Sequence, residues 1–345
     1  MIDTKRFALA GSVGLALILA ACQGAPASTN DQARGALDAG QLRAAEASVA
    51  AMFEAGLADA QTQAIKLELM LKLGDGYAAM AALDALPEGA MSEGQRRVAK
   101  AHALILQGRA QAAADVYEGM DPEGFSEQDF RMTLWTLREL DKPEEFVAGM
   151  DAGLEAFPKS ADLNAMAAQV LIELDEYEEA VAYADRALAT KPDHFEALLV
   201  KGELAIEEGD LEAALTHYKA ASKVYPDFAL PLANVAGLQL DLGQVEEAGA
   251  TLQGALNVHA DEPFVQWQVV RHALAVDDLD TARRALETAR RTFRGDDEFT
   301  LLSARAEERF GNRELALAEY KRYLRAVGDD EAIEAKVNAL EAQGV

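Results

Sequence analysis

Histidines are the residues of this chain best suited to bind a metal or to transfer a proton, and their spacing favours neither role. The five are His102, His194, His217, His259 and His272. No two of them lie four residues apart with a glutamate beside the first, as a helical zinc site requires. We interpret each as a loop or surface histidine, and we expect no metal site.

Motifs of other catalytic classes are missing as well. The sequence has no G-x-S-x-G segment, no glycine-rich phosphate loop before a helix and no dinucleotide fingerprint. Glutamate pairs such as Glu178 and Glu179 recur at helix starts, where negative charge suits the helix dipole. We therefore predict a protein that is not an enzyme and that uses no cofactor.

Composition narrows the possible partners. Among 345 residues, 59 are acidic and 32 basic, which gives a formal net charge of -27. A chain this acidic repels phosphate backbones, so we expect no nucleic-acid binding. The single cysteine, Cys22, excludes an intramolecular disulfide and a cysteine-rich zinc site. Half of the residues are apolar, which is enough for a sizeable core.

The pattern of the first 21 residues indicates a targeting segment. Lys5 and Arg6 precede an uncharged run over residues 7–21, which is too short to cross a bilayer comfortably. The run ends in Leu-Ala-Ala-Cys at residues 19–22. This ending resembles the lipobox of bacterial lipoproteins, although an uncleaved signal anchor would share the apolar run.

The lipobox resemblance implies where the chain is located. It implies cleavage after residue 21 and acylation of Cys22 with diacylglycerol and palmitate. Gln23 stands where aspartate retains some lipoproteins at the inner membrane, so the outer membrane, on its periplasmic face, is expected. Residues 22–30 are small, polar and uncharged, and we predict a lipidated flexible tether.

Beyond the tether, several kinds of residue recur every 34 positions. The recurring residues are the prolines Pro158, Pro192 and Pro226, the alanines Ala180, Ala214, Ala248, Ala282 and Ala316, and the turn residues Asp175, Gly209, Gly243, Asp277 and Gly311. A fixed period of this length indicates a repeat architecture. These columns resemble the tetratricopeptide repeat, a pair of antiparallel helices.

The repeat resemblance implies an all-α fold, a right-handed α-solenoid of eight or nine helix pairs. Six well-formed repeats are expected over 127–330, degenerate ones over 31–126, and a capping helix over 331–345. The six repeats would start at Glu127, Ala161, Phe195, Ala229, Pro263 and Asp297. Within each, a small residue at the eighth place would face the alanine at the twentieth.

In this family the first helices line a concave groove that binds an extended peptide or a helix. The positions that match here include Arg131, Trp135, Gln169, Glu203, Phe264, Trp267, Arg271, Arg305 and Arg309. Tryptophan and arginine are frequent binding anchors, but Trp135 and Trp267 could equally pack between neighbouring repeats.

Five arginines stand out against the acidic background. They are Arg283, Arg284, Arg290, Arg291 and Arg294, and helical spacing brings most of them to one face. This basic patch is either a solvated surface or a contact for anionic lipid head groups, glycan or an acidic partner.

The resemblances together predict a membrane-anchored periplasmic scaffold that mediates protein–protein interactions in an envelope assembly. Repeat lipoproteins of this size serve pilus or secretin assembly, and a role like that of the Tad/Flp or type IV pilus lipoproteins is the specific expectation. The alternatives are an accessory scaffold for peptidoglycan enzymes, outer-membrane protein assembly or polysaccharide export.

Overall fold

A computed structural model describes residues 27–343, which form 19 α-helices and no strand within that range. The all-α prediction is confirmed. The helices divide into two compact units, the first of residues 27–209 with 223–227 and the second of 210–222 with 228–343. The sequence features at residues 1–21 and Cys22 lie outside the described residues.

The first unit contains eleven helices in its described part. They are α1 (Ala27–Asp38), α2 (Leu42–Glu54), α3 (Ala60–Lys72), α4 (Gly76–Asp84), α5 (Glu93–Leu106), α6 (Ala110–Asp115), α7 (Glu127–Glu139), α8 (Pro143–Ala156), α9 (Ala161–Glu173), α10 (Tyr177–Thr190) and α11 (Phe195–Glu207). Each odd-numbered helix from α1 to α9 packs on the helix that follows it.

The second unit contains most of α12 and all later helices. They are α12 (Leu211–Val224), α13 (Ala229–Asp241), α14 (Val245–Val258), α15 (Pro263–Ala275), α16 (Leu279–Thr292), α17 (Asp297–Arg309), α18 (Arg313–Val327) and α19 (Glu331–Ala342). The pairs are α13 with α14, α15 with α16, and α17 with α18, while α19 packs on α18. First helices begin at all six residues where the repeat starts were placed.

Alanines hold the two helices of a pair close together. Ala180, Ala214, Ala248, Ala282 and Ala316 are all fully buried. Ala168 shares a core cluster with Ala180, and Ala304 shares one with Ala316, so small residues do face each other across these pairs. The pair α7–α8 instead has Leu134 and Phe146 at these places, and both lie in one cluster. Gly149 leaves room for the larger Leu134 side chain, because a Cβ at residue 149 would lie only 3.2 Å from Leu134.

Helix ends follow the same period as the core. The turn residues Asp175, Gly209, Gly243, Asp277 and Gly311 all have positive φ, between 61° and 81°. A second column of residues shares the period. The side chains of Ser126, Ser160, His194, Glu262 and Asp296 each accept a backbone N–H of the following first helix. Such caps satisfy donors that a helix start leaves unpaired.

Two further findings concern the N-terminal part. The predicted tether ended at Asn30, but α1 begins at Ala27 and Asn30 is 4% exposed. Its amide donates to Asp59 and accepts from the Thr62 hydroxyl, so residue 30 belongs to the fold. Within residues 27–343, no helix combines the length and the apolar character needed to span a bilayer.

Candidate protein-interaction surfaces

In the first unit, the predicted groove residue Arg131 is the centre of a buried charge network. Its Nη1 lies 3.0 Å from Asp162 Oδ2, and the other oxygen of Asp162 lies 2.8 Å from Nε2 of His194. Arg131 is 3% exposed and His194 1% exposed. Of the prediction of a loop or surface histidine, only the loop holds for His194: it lies in the loop before α11 but is buried, caps that helix and links two repeats.

The electrostatics of this network favour the charged forms of the pair. Burial alone would raise the pKa of the Asp162 carboxyl, but attraction to Arg131 and the hydrogen bond to His194 outweigh it. The pKa of Asp162 is thereby held well below its usual range. For Arg131, burial would lower the pKa of the guanidinium, but attraction to Asp162 and Glu196 outweighs burial and raises this pKa.

Trp135, the second predicted anchor, is 5% exposed and packs inside the first unit. Its ring centroid lies 5.1 Å from that of His102, which is fully buried, so His102 is not a surface residue either. Neither ring nitrogen of His102 has a hydrogen-bond partner among the described residues. Burial, with a smaller contribution from Arg131, lowers the pKa of His102 to about 3, so the ring is neutral.

Arginines on the first helices pair with acids about one repeat away. In the first unit these pairs are Arg34–Glu68 at 2.6 Å, Arg97–Asp129 at 2.9 Å, Arg131–Asp162 and Arg138–Glu173. In the second unit they are Arg271–Asp241 and Arg309–Asp277, the latter at 2.6 Å. Most of the predicted arginine anchors thus have their charge balanced by the chain itself.

The side of α9 and α11 that carries the predicted groove residues is here called their inner side. Apart from the ion pairs above, its side chains are mainly acidic. Gln169 and Glu203 are half-buried, and Glu207 is exposed. Burial raises the pKa of Glu203, a hydrogen bond from Gln169 opposes this, and the nearby charges of Glu207 and Glu173 add to the rise. The cavity beside them, between α7, α9 and α11, holds only about 40 Å3.

The first unit is also closed by contacts between its beginning and its last residues. Lys72 Nζ, in a side chain that is 8% exposed, lies 3.2 Å from the hydroxyl of Tyr225 and 5.1 Å from its ring centroid. The backbone N–H of Arg43 donates to Asp227 at 2.9 Å. At Gly40, with φ +68°, an added Cβ would lie 2.1 Å from the carbonyl oxygen of Val224. Nothing in the pattern of residues indicates these contacts.

In the second unit, Trp267 is 5% exposed. Its ring packs against Phe264, Phe293 and Phe299, at centroid distances of 6.0, 4.8 and 5.3 Å. For both tryptophans the structure therefore favours internal packing over an exposed anchor. Arg305 is exposed and forms no ion pair within the described residues.

The predicted basic patch divides into two sets. Arg283 lies over the Phe310 ring at 4.8 Å, and Arg284 donates to the Thr281 hydroxyl. Arg290, Arg291 and Arg294 line a separate cleft together with Arg322 of α18, a residue outside the predicted patch. No cluster of three or more metal-binding side chains occurs in residues 27–343.

The described structure is thus an array of antiparallel helix pairs with internally paired charges. Two models of the tetratricopeptide repeat family match the chain, one over residues 165–227 and 270–331 and the other over 205–266. Residues 165–266 and 270–331 therefore consist of tetratricopeptide repeats. This is a family of protein-interaction scaffolds rather than of enzymes, which confirms the expectation of a non-enzymatic chain.

Solved structures share this fold at low sequence identity. PilF of Pseudomonas aeruginosa is 18% identical with a TM-score of 0.53, over 63% of this chain and 97% of that one. PilW, described as a widely conserved type IV pilus biogenesis factor, is 16% identical with a TM-score of 0.51, over 61% and 98%. A chain of the Cut9–Hcn1 complex is 15% identical with a TM-score of 0.68, over 90% and 63%. No curated protein matches the chain.

Proposed function

We propose that this protein is a lipid-anchored scaffold on the periplasmic face of the bacterial outer membrane, where it holds protein partners in an envelope assembly. The observation that carries the proposal is the joining of an interaction-type repeat fold to an N-terminal sequence that ends in a lipobox-like Leu19–Cys22. Several acyl chains on Cys22 would give stable attachment, because a single chain binds a bilayer only marginally.

The specific assembly that we propose is a pilus or its secretin. The fold likeness to PilF and to PilW, a protein described as a pilus biogenesis factor, supports this choice. Identities of 18% and 16% carry fold and not function, so the partner requires a direct experiment.

The partner surface that we propose is the acidic inner side of α9 and α11. The nearby arginines Arg131 and Arg138 are paired with Asp162 and Glu173, so they contribute little net charge. Glu203 and Glu207 are the acidic side chains of this surface, and a partner segment that carries lysine or arginine would complement them. A helix or an extended peptide would fit a surface formed by parallel first helices.

The anchor is tested by labelling cells with radioactive palmitate and separating their membranes. Wild-type protein should take up label and fractionate with the outer membrane, whereas Cys22→Ala protein should take up none. Label retained by Cys22→Ala would contradict the lipoprotein assignment. Label found only in the inner membrane would contradict the proposed location and leave acylation standing.

The partner surface is tested by placing a photo-crosslinking amino acid at Glu207 in the native envelope. The matched control position is Glu179, which is exposed at the start of the second helix α10. A partner captured from position 207 and not from 179 supports the proposal, and Glu203→Gln with Glu207→Gln should weaken its binding. Pilus or secretin components among the captured proteins support the specific role, whereas peptidoglycan enzymes or polysaccharide exporters would replace it.

A further inference from the structure

A second surface, independent of the acidic one, lies in the second unit. It is a cleft of about 710 Å3, bounded by the last two turns of α16, the segment 293–295, and parts of α17 and α18. Its volume equals that of a sphere about 11 Å across, within the range of small-ligand sites. The cleft is therefore large enough for a compact charged group and short for an extended peptide.

The arginines of the cleft differ in how their charge is used. Arg290 donates to Ser303 and Glu307, both at 2.7 Å, so it is held in place and neutralised. Glu307 is 4% exposed and also accepts a hydrogen bond from the Asn312 side chain, which holds the Glu307 carboxylate in place. Arg290 thus forms a rigid wall of the cleft.

The other three arginines are available to a ligand. Arg291 and Arg294 are exposed and form no ion pair among the described residues. Arg322 comes from α18, and its nearest acid is Glu319, at 3.9 Å. The lining also contains Glu287, so, with Arg290 balanced by Glu307, three arginines and two glutamates leave an excess of one positive charge at the opening. This excess of positive charge occurs on a chain whose net charge is -27.

We propose that this cleft binds a phosphate-bearing anion. Guanidinium groups match phosphate oxygens in geometry and stay charged at every physiological pH. A phosphate monoester brings about two negative charges and three acceptor oxygens in one compact group, whereas each carboxylate brings one charge. Three arginines that line one cleft, on two helices and a loop, fit the denser charge better.

The proposal is tested by isothermal titration of the full chain with pyrophosphate at low and moderate salt. Saturable binding at one site is expected, and it should weaken as salt is raised. Arg291→Gln with Arg294→Gln should weaken binding at least tenfold. Glu319→Gln should strengthen it, because Arg322 then loses its nearest acid.

The matched control is Arg283→Gln with Arg284→Gln. It removes the same charge a few residues away, within α16, at residues that do not line the cleft. Circular dichroism verifies that each variant is folded. The proposal is wrong if pyrophosphate does not bind, or if both double variants lose affinity equally. It is also wrong if an oligo-aspartate peptide binds through Arg291 and Arg294 while pyrophosphate does not.

Vesicles distinguish a lipid head group from a free ligand. Wild-type protein and the Arg291→Gln, Arg294→Gln variant, with identical N-termini, are compared on phosphatidylcholine vesicles with and without phosphatidylglycerol. The ligand is a lipid phosphate if the wild type associates more than the variant only when phosphatidylglycerol is present, and if pyrophosphate removes this difference. Equal association of the two proteins, with pyrophosphate binding retained, identifies a free phosphate-bearing ligand.

Discussion

Arg131 and Asp162 form an ion pair of 3.0 Å whose guanidinium side chain is only 3% exposed. The pair joins α7 to α9 and is extended to α11 by His194. A residue that resembles a partner-binding arginine in the sequence is thus part of the interior. Its charge holds neighbouring repeats together, and the surface left for a partner is acidic.

We expect Arg131→Met to lower the free energy of unfolding by about 3–5 kcal/mol, because Asp162, whose side chain is only 17% exposed, is left without its cation. Replacing both residues, with Arg131→Met and Asp162→Leu, should cost less than the single change. Arg309→Met is the control, since its pair with Asp277 is exposed and should contribute at most about 1 kcal/mol. Urea unfolding followed by circular dichroism measures all three, and equal losses at Arg131 and Arg309 would contradict the buried-pair interpretation.

His102 predicts a pH dependence of stability. Its pKa is about 3 in the folded chain and near 6.5 when unfolded, so the unfolded state binds more protons between these values. Stability should therefore fall as pH drops below about 6.5, by roughly 1.4 kcal/mol per pH unit from this residue.

His102→Phe keeps a ring beside Trp135 and removes the titrating group. Denaturant unfolding at pH 7, 6 and 5 should show a smaller loss of stability for His102→Phe than for the wild type. His259→Gln, at an exposed position, is the control and should leave the wild-type dependence intact. A slope that His102→Phe does not change would exclude a buried neutral histidine.

The closure of the first unit is tested by three glycine substitutions. Gly74→Ala meets no atom within 4 Å but sits at φ +77°, so it measures backbone strain alone, of about 1–2 kcal/mol. Gly40→Ala, at φ +68°, adds the overlap with Val224 and should cost clearly more. Gly35→Ala, inside α1 and free of contacts, should stabilise the chain by up to about 1 kcal/mol. Equal effects at residues 40 and 74 in thermal unfolding would mean that the closing contact is absent.

Tryptophan fluorescence checks the packing of Trp135 and Trp267. Both are 5% exposed, so emission should be blue-shifted and resistant to quenching by iodide. Trp267→Ala should lower the free energy of unfolding by about 3–5 kcal/mol, because it opens a cavity among three phenylalanines. Val276→Ala, at a side chain that is 50% exposed, should change it by less than about 0.5 kcal/mol. Strong quenching in the folded protein would restore the exposed-anchor interpretation.

The sequence predicted the repeats well because their packing is local. The close contact of Ala168 with Ala180 and the turn at Asp175 depend on residues of a single helix pair, and such constraints recur with the period. The caps at Ser126, Ser160 and His194 follow the same period and could have been found there.

The candidate surfaces were less predictable because they depend on residues of different repeats. Arg131 and Asp162 occupy groove positions in the sequence, and only the structure shows that they neutralise each other. Arg322 lies 28 residues beyond Arg294 and reaches the same cleft through the stacking of α18 on the preceding helices. Nothing in the sequence indicates the contact of Gly40 with Val224, which depends on the geometry of all the helices between them.

The contacts that join residues 40 and 43 to residues 224 and 227 limit how the chain could have changed in evolution. Arrays of stacked repeats commonly gain or lose copies, because each repeat touches only its neighbours. Here Arg43 and Asp227 are bonded across 184 positions, so duplication or loss of one 34-residue copy between them would displace one end from the other. Variation in copy number is therefore expected after residue 227 rather than before it.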